Sequence, residues 1–167
     1  ALLRNSRNND SPSMLEAARV AINAGADGLT IHPRPDLRHA LPEDVRQLSE
    51  LVNSEYQHIE LNVEGNPFTN QSENGYPGFM AMVLSIRPSQ VTLVPDKVDA
   101  ITSNSGWNTI KYKNMLKDII NELKSYGIRT SIFLDPEIKY IDSLLEINPD
   151  RVELYTEEFA KEFLIGN

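Results

Sequence analysis

Two of the chain's three histidines fall within eight residues, in His32-Pro-Arg-Pro-Asp-Leu-Arg-His39, together with two arginines. An imidazole titrates near neutrality and can give or take a proton, while a guanidinium holds a carboxylate or phosphate by two parallel hydrogen bonds. That combination suits an anionic, phosphorylated substrate. A solvated Pro-rich loop with incidental charge accounts for the letters equally well until something places the side chains. Two carboxylates extend the set. Glu64 precedes Gly65-Asn66-Pro67, a tight turn that would leave it at the end of an extended run, and Glu153 sits between apolar neighbours in another. A carboxylate partly removed from water has a raised pKa and becomes a usable general acid or base. For Glu153 the competing reading is an ion pair with Arg129 or Arg151. Asp135 stands directly before Pro136 and suits a helix N-cap better than a reacting group. Thr102 lies in Ile101-Thr-Ser-Asn-Ser-Gly106, whose hydroxyls and amides can offer donors to a phosphate or sugar. Trp107 is either a lid or a packing residue. His58 begins a strand at the far end from these groups and receives no role.

Positioning these groups requires a scaffold, and short Val/Ile/Leu runs alternating with stretches of helical period supply one. A first helix is expected over residues 12–24, with Ser11 as N-cap, Pro12 in its first turn, Leu15, Ala18 and Ile22 inward, and Gly25 ending it. Strand 28–32 follows. A second helix opens at Pro42 and turns Val45, Leu48, Leu51 and Val52 inward, before an extended run over 58–64. The pattern then repeats: helix 76–86, strand 91–94, helix 109–126 stopped by Gly127, strand 129–134, helix 136–147, strand 151–155, and a short helix from Glu157. Strand-to-strand spacings of about 22 to 39 residues suit right-handed crossovers and a parallel sheet covered by helices.

Strand parity separates an open doubly wound sheet from a barrel. Ile59, Leu61 and Val63 share one face of their strand, while Glu60, Asn62 and Glu64 share the other. Thr30 and His32 likewise oppose Leu29 and Ile31, Ser131 and Asp135 oppose Ile132 and Leu134, and Glu153 opposes Val152 and Leu154. A sheet buried under helices on both sides is apolar on both. A barrel, polar in its lumen near the mouth, fits better. The fold class expected is therefore α/β, a parallel barrel of the TIM type. A complete barrel takes about 250 residues. With 167 residues and five strands, this one should be incomplete: a single domain over 1–167, truncated at both ends.

Composition narrows the classes further. Sixteen Lys and Arg against 24 Asp and Glu give a formal charge of -8, which offers no field for gathering nucleic-acid phosphates. With no cysteine, disulfides, thiolate catalysis and Cys-ligated metals are excluded. No apolar run approaches the roughly 18 to 20 residues that span a bilayer, and the first ten residues have no secretory pattern. A cytoplasmic protein with no membrane or nucleic-acid partner is expected.

Six segments, in order along the chain, carry a resemblance: Leu3-Arg-Asn-Ser-Arg7, Gly25-Ala-Asp-Gly-Leu-Thr-Ile-His-Pro-Arg-Pro-Asp-Leu-Arg-His39, Leu61-Asn-Val-Glu-Gly-Asn-Pro67, Gln90-Val-Thr-Leu-Val-Pro-Asp96, Ile101-Thr-Ser-Asn-Ser-Gly-Trp107 and Arg151-Val-Glu-Leu-Tyr-Thr-Glu157. Together they closely resemble the pyridoxine 5'-phosphate synthase family of vitamin B6 biosynthesis. The resemblance implies a (β/α)8 barrel, in which 3-amino-2-oxopropyl phosphate condenses with 1-deoxy-D-xylulose 5-phosphate by acid-base catalysis. It casts His32 and Glu64 as acid-base residues and Glu153 as a lumen carboxylate supporting the transition state. It also assigns Arg34, His39 and Thr102 to the deoxyxylulose phosphate and Arg7 to the aminoketone phosphate, with no metal or other cofactor, in dimers that assemble into octamers. The family's first strand and last two strands, with a third acid-base histidine and glycine-rich phosphate loops, have no counterpart here, so these 167 residues alone are expected to be inactive or nearly so. Two other readings compete: a metal-assisted aldolase or lyase barrel using Glu64, Asp135 and Glu153, and a non-catalytic module binding phosphorylated metabolites.

Overall fold

The computed structural model describes residues 11–96 and 103–166. Five strands and six α-helices alternate through them: α1 (Met14–Asn23), β1 (Gly28–Ile31), α2 (Pro42–Glu55), β2 (Glu60–Gly65), α3 (Phe79–Ile86), β3 (Gln90–Leu93), α4 (Lys113–Ser125), β4 (Arg129–Leu134), α5 (Ile141–Ile147), β5 (Arg151–Leu154) and α6 (Glu157–Leu164). All neighbouring strands pair in parallel, in the order β1-β2-β3-β4-β5. The sheet curls. In a flat sheet the three intervals from β2 to β5 would hold their side chains about 14 Å apart, yet Arg151 on β5 reaches Glu60 on β2 at 3.1 Å. This is an incomplete α/β barrel of the TIM type, as strand parity predicts.

That parity is plainest in β2, where Leu61, Val63 and Gly65 are buried while Glu60, Asn62 and Glu64 are half-buried on the concave side. The convex face carries the apolar core. Leu61, Val63, Val91, Leu93 and Ile132 join Val45, Leu48 and Leu51 of α2, Phe79, Met82 and Val83 of α3, and Leu116, Ile120 and Leu123 of α4 in one cluster. Each such side chain contributes roughly 1.5–3 kcal/mol on full burial. At β5 the rule weakens: Val152 and Leu154 are exposed, as are Phe159 and Phe163 on α6.

Several helix starts differ from expectation, each for a local reason. Ser13, not Ser11, caps α1, its hydroxyl accepting the Glu16 amide at 3.3 Å, so Pro12 lies before the helix. At α2 the Asp44 carboxylate reaches back to the Leu41 amide at 2.7 Å, with Pro42 in the first turn. Helix α3 begins at Phe79 rather than residue 76, because Gly78 takes a positive φ and Tyr76 turns into the core. Thr109 lies ahead of α4, its buried hydroxyl held by the Tyr140 carbonyl and the Ser143 hydroxyl. The expected 136–147 helix divides into a 3-10 turn (Ile138–Tyr140) and α5.

Candidate active site

The carboxyl ends of the strands gather the groups that the sequence nominates. His32 follows the last residue of β1, Glu64 is next to last in β2, and Glu153 is next to last in β5. His32 Nδ1 stands 3.6 Å from Glu64 Oε2, with both side chains about one-fifth exposed. Across the curl of the sheet Glu64 also lies near enough to Glu153 for its charge to act on that carboxyl. Burial, then the neighbouring Glu64 carboxylate, pushes the Glu153 carboxyl up to about 7, with His32 and the Thr92 hydroxyl pulling the other way. Glu153 is therefore part acid and part carboxylate at neutral pH, beside a second carboxylate and an imidazole. Such a set can deliver one proton while withdrawing another.

The ion-pair reading of Glu153 fails on geometry. Arg129 and Arg151 both bind Glu60 at the opposite end of the strands. Gly65 explains how Glu64 sits so close to the core: a Cβ there would lie 2.3 Å from the Phe79 ring, so only glycine lets that ring pack beneath the strand end. The turn after it forms as expected, Asn66 Oδ1 accepting the Phe68 amide at 2.9 Å.

The His32–His39 loop is folded against the barrel rather than solvated throughout. Pro33 and Ala40 form a parallel bridge, and Leu37 takes a left-handed conformation at φ 59°, with its amide bonded to the Arg34 carbonyl at 2.9 Å. Arg34 is buried and donates to Asp96 at 3.1 Å. His39 lies within electrostatic reach of Arg34, Arg38 and His32; burial first, then the two arginines, holds its imidazole below its ordinary pKa. Arg7 and Thr102 lie outside the described residues.

Other expectations change. Asp135 is not a helix cap: its carboxylate accepts the Gly106 amide at 2.8 Å. A Cβ at Gly106 would come within 2.2 Å of the Asp135 backbone, so glycine is required where this loop lies across the end of β4. That engagement leaves Asp135 poorly suited to the metal-assisted reading, and among the described residues no group of three His, Cys, Asp or Glu side chains is arranged to hold a metal ion. Trp107 is a packing residue, buried, with its indole N–H donating to the Leu93 carbonyl at 3.0 Å. His58 is exposed ahead of β2. Sequence reasoning passed over Asp96, which holds Arg34 and accepts the Ser103 hydroxyl at 2.7 Å, and over Asn62, Gln90 and Thr92 on the concave face. The parity that singled out Glu64 already placed Asn62 beside it. Between the loops after β1 and β2 lies an open cavity of about 750 Å³, lined by residues that include Asp36, Asn66, Thr69 and Asp96.

A half-closed parallel barrel with an imidazole and two carboxylates near one another at its strand ends defines the class: a (β/α)-barrel protein with titratable groups gathered at the mouth. The chain belongs to the family described as Pyridoxal phosphate biosynthesis protein PdxJ, whose family model matches residues 1–165. It is 48% identical over 167 residues to the pyridoxine 5'-phosphate synthase of Christiangramia forsetii, covering 100% of this chain and 65% of that protein. The synthase of Flavobacterium johnsoniae is 46% identical with the same coverage, and that of Cytophaga hutchinsonii is 44% identical, with 98% of this chain and 63% of that protein covered. The chain thus spans about 65% of the length of the first two relatives.

Proposed function

We propose that this chain supplies part of the active site of a pyridoxine 5'-phosphate synthase, which condenses 3-amino-2-oxopropyl phosphate with 1-deoxy-D-xylulose 5-phosphate and releases phosphate and water. The observation that carries this reading is the meeting of His32, Glu64 and Glu153 at one mouth. Joining an amine to a ketone, losing water and closing a ring are successive proton transfers, and a positioned group contributes typically 10²- to 10⁴-fold to each. Glu153 in its acid form protonates a departing hydroxyl, and its conjugate base then takes a proton back. His32 and Glu64 exchange protons with the other reacting atoms, the close imidazole keeping a second donor at hand.

Arg34, His39 and Thr102 are assigned to the deoxyxylulose phosphate and Arg7 to the aminoketone phosphate. Asp96 fixes the Arg34 guanidinium in place, so a phosphate meets an oriented donor. Burial and the nearby arginines hold the His39 imidazole below its ordinary pKa, and an arriving phosphate would favour its charged form. No described helix is long and apolar enough to cross a membrane; action in the cytoplasm, as a single barrel domain that assembles into homo-oligomers, belongs to the same proposal. The test is formation of pyridoxine 5'-phosphate by a chimera in which the unmatched segments of the Christiangramia forsetii relative flank this chain. Turnover by the chimera and little or none by the 167 residues alone is expected. A folded chimera without product overturns the assignment.

A further inference from the structure

Three strand-end loops converge on Asp96. Arg34, in the loop after β1, donates to Asp96 Oδ2 at 3.1 Å, and Ser103, in the loop after β3, donates its hydroxyl to the same oxygen at 2.7 Å. Asn66, in the loop after β2, donates from Nδ2 to the Asp96 backbone carbonyl at 2.9 Å. The direction of that last bond is imposed. Asn66 Oδ1 accepts the Phe68 amide, and a backbone N–H can only donate, so the Asn66 nitrogen is the end left for Asp96.

Burial makes the arginine bond exacting. The Arg34 and Asp96 side chains are only 3% and 7% exposed, and a charge so far from water lies where its counter-charge holds it. The backbone on either side of Asp96 is anchored without its side chain: the Val94 amide donates to the Gly65 carbonyl at 3.0 Å, and beyond Ser103 the Trp107 amide donates to the Phe133 carbonyl at 2.9 Å. The carboxylate therefore joins segments whose far ends are already fixed. It sets where the Arg34 guanidinium lies relative to Ser103.

We propose that Asp96 is a positioning residue for the phosphate of the deoxyxylulose substrate: its carboxylate registers Arg34 against the Ser103 segment, so that groups from the loops after β1 and β3 meet the phosphate as one unit. A carboxylate repels a phosphate, so Asp96 contributes geometry and no attraction. The inference rests on the assignment of Arg34, and of Thr102 beside Ser103 in sequence, to that phosphate. Half of its test needs no turnover.

The first measurement is steady-state kinetics of the chimera. Asp96→Ala should raise KM for 1-deoxy-D-xylulose 5-phosphate by about 10- to 100-fold, the scale of a binding group displaced by roughly 1 Å, while kcat and KM for the aminoketone change by less than about threefold. A variant that merely loses folded material lowers apparent kcat and moves neither KM. Asp96→Asn keeps an oxygen able to accept both bonds and should recover most of the affinity, and Ser103→Ala should show the same selectivity at about threefold. Should Asp96→Ala fail to fold, Ser103→Ala supplies the kinetic test.

The second measurement is amide hydrogen exchange in the 167-residue chain. Asp96→Ala should speed exchange by about tenfold at Leu37, whose amide bonds to the Arg34 carbonyl, and at Phe68, whose amide bonds to Asn66, leaving Leu116 and Ile120 of α4 unchanged. Unchanged KM for the deoxyxylulose substrate, parallel rises in both KM values, an Asn variant as poor as the Ala one, or faster exchange at only one of the two loops overturns the proposal. A chimera without turnover defeats the synthase reading, and the exchange pattern then decides the coupling of the loops by itself.

Discussion

The two ends of the concave face are built from the same strands and opposite electrostatics. At the amino end, Glu60 of β2 is shared by Arg129 and Arg151, and the Arg129 hydrogen bond holds its carboxyl below the usual range. Four residues along β2 and two along β5, Glu64 and Glu153 face each other with the His32 imidazole nearby, and Glu153 is driven the other way. A glutamate on a half-buried strand therefore has no fixed character. Partners decide it: saturation at one end makes a brace, and deficiency at the other raises the carboxyl pKa into the range a proton exchanger would need.

The most severe way to break the contrast is to remove a member of the deficient end. His32→Ala or Glu64→Gln in the chimera should lower kcat by about 10²- to 10⁴-fold, the usual worth of a positioned acid or base. Melting temperature should change little, since neither side chain closes a saturated pair. Steady-state kinetics beside thermal denaturation checks both halves, and a loss of stability matching the loss of rate would make these residues structural. The converse belongs to the brace. Glu60→Gln should leave kcat within about threefold, on the order of 0.6 kcal/mol, while lowering stability by about 1 kcal/mol. The figure is modest because the Glu60 side chain is 43% exposed, so water screens the pair. As the folded pKa of Glu60 lies below its ordinary value, its contribution is present above the ordinary value and disappears as pH falls through the folded one. The deficit of Glu60→Gln should therefore vanish in acid.

How much of this the sequence discloses depends on the range of the interaction. Parity within β2 is local, two residues at a time, and it separated Glu60, Asn62 and Glu64 from the core residues between them. The mouth cluster follows once parallel strands are inferred, because His32, Glu64 and Glu153 each lie within one residue of a strand's carboxyl end. Who pairs with whom is another matter. Arg129 and Arg151 are nearer to Glu153 in sequence than to Glu60, yet ladder register and curl deliver them to Glu60, 69 and 91 residues away. Asp135 shows the same limit. Its place before proline fits a cap, and only the path of a loop that starts on another strand reveals that it holds Gly106 instead. The start of α4 moved for a like reason, Thr109 being fixed by Tyr140 and Ser143 from a later segment.

The smallest effect tests the deficient end through stability alone. Glu153 titrates at about 7 in the folded chain against an ordinary value of 4.5, so between those values the folded state binds more protons than the unfolded one. Stability must then fall as pH rises across that interval, and the penalty is complete above the folded value. Glu153→Gln keeps the size of the side chain and cannot ionise. Relative to the parent chain it should be unchanged near pH 4 and more stable above pH 7, by less than about 1 kcal/mol because the carboxyl is only partly shielded from solvent. Urea denaturation at the two pH values measures the difference. A gain of equal size at both would mean that glutamine merely packs better, and a gain confined to acid would reverse the sign and remove Glu153 from the contrast with Glu60.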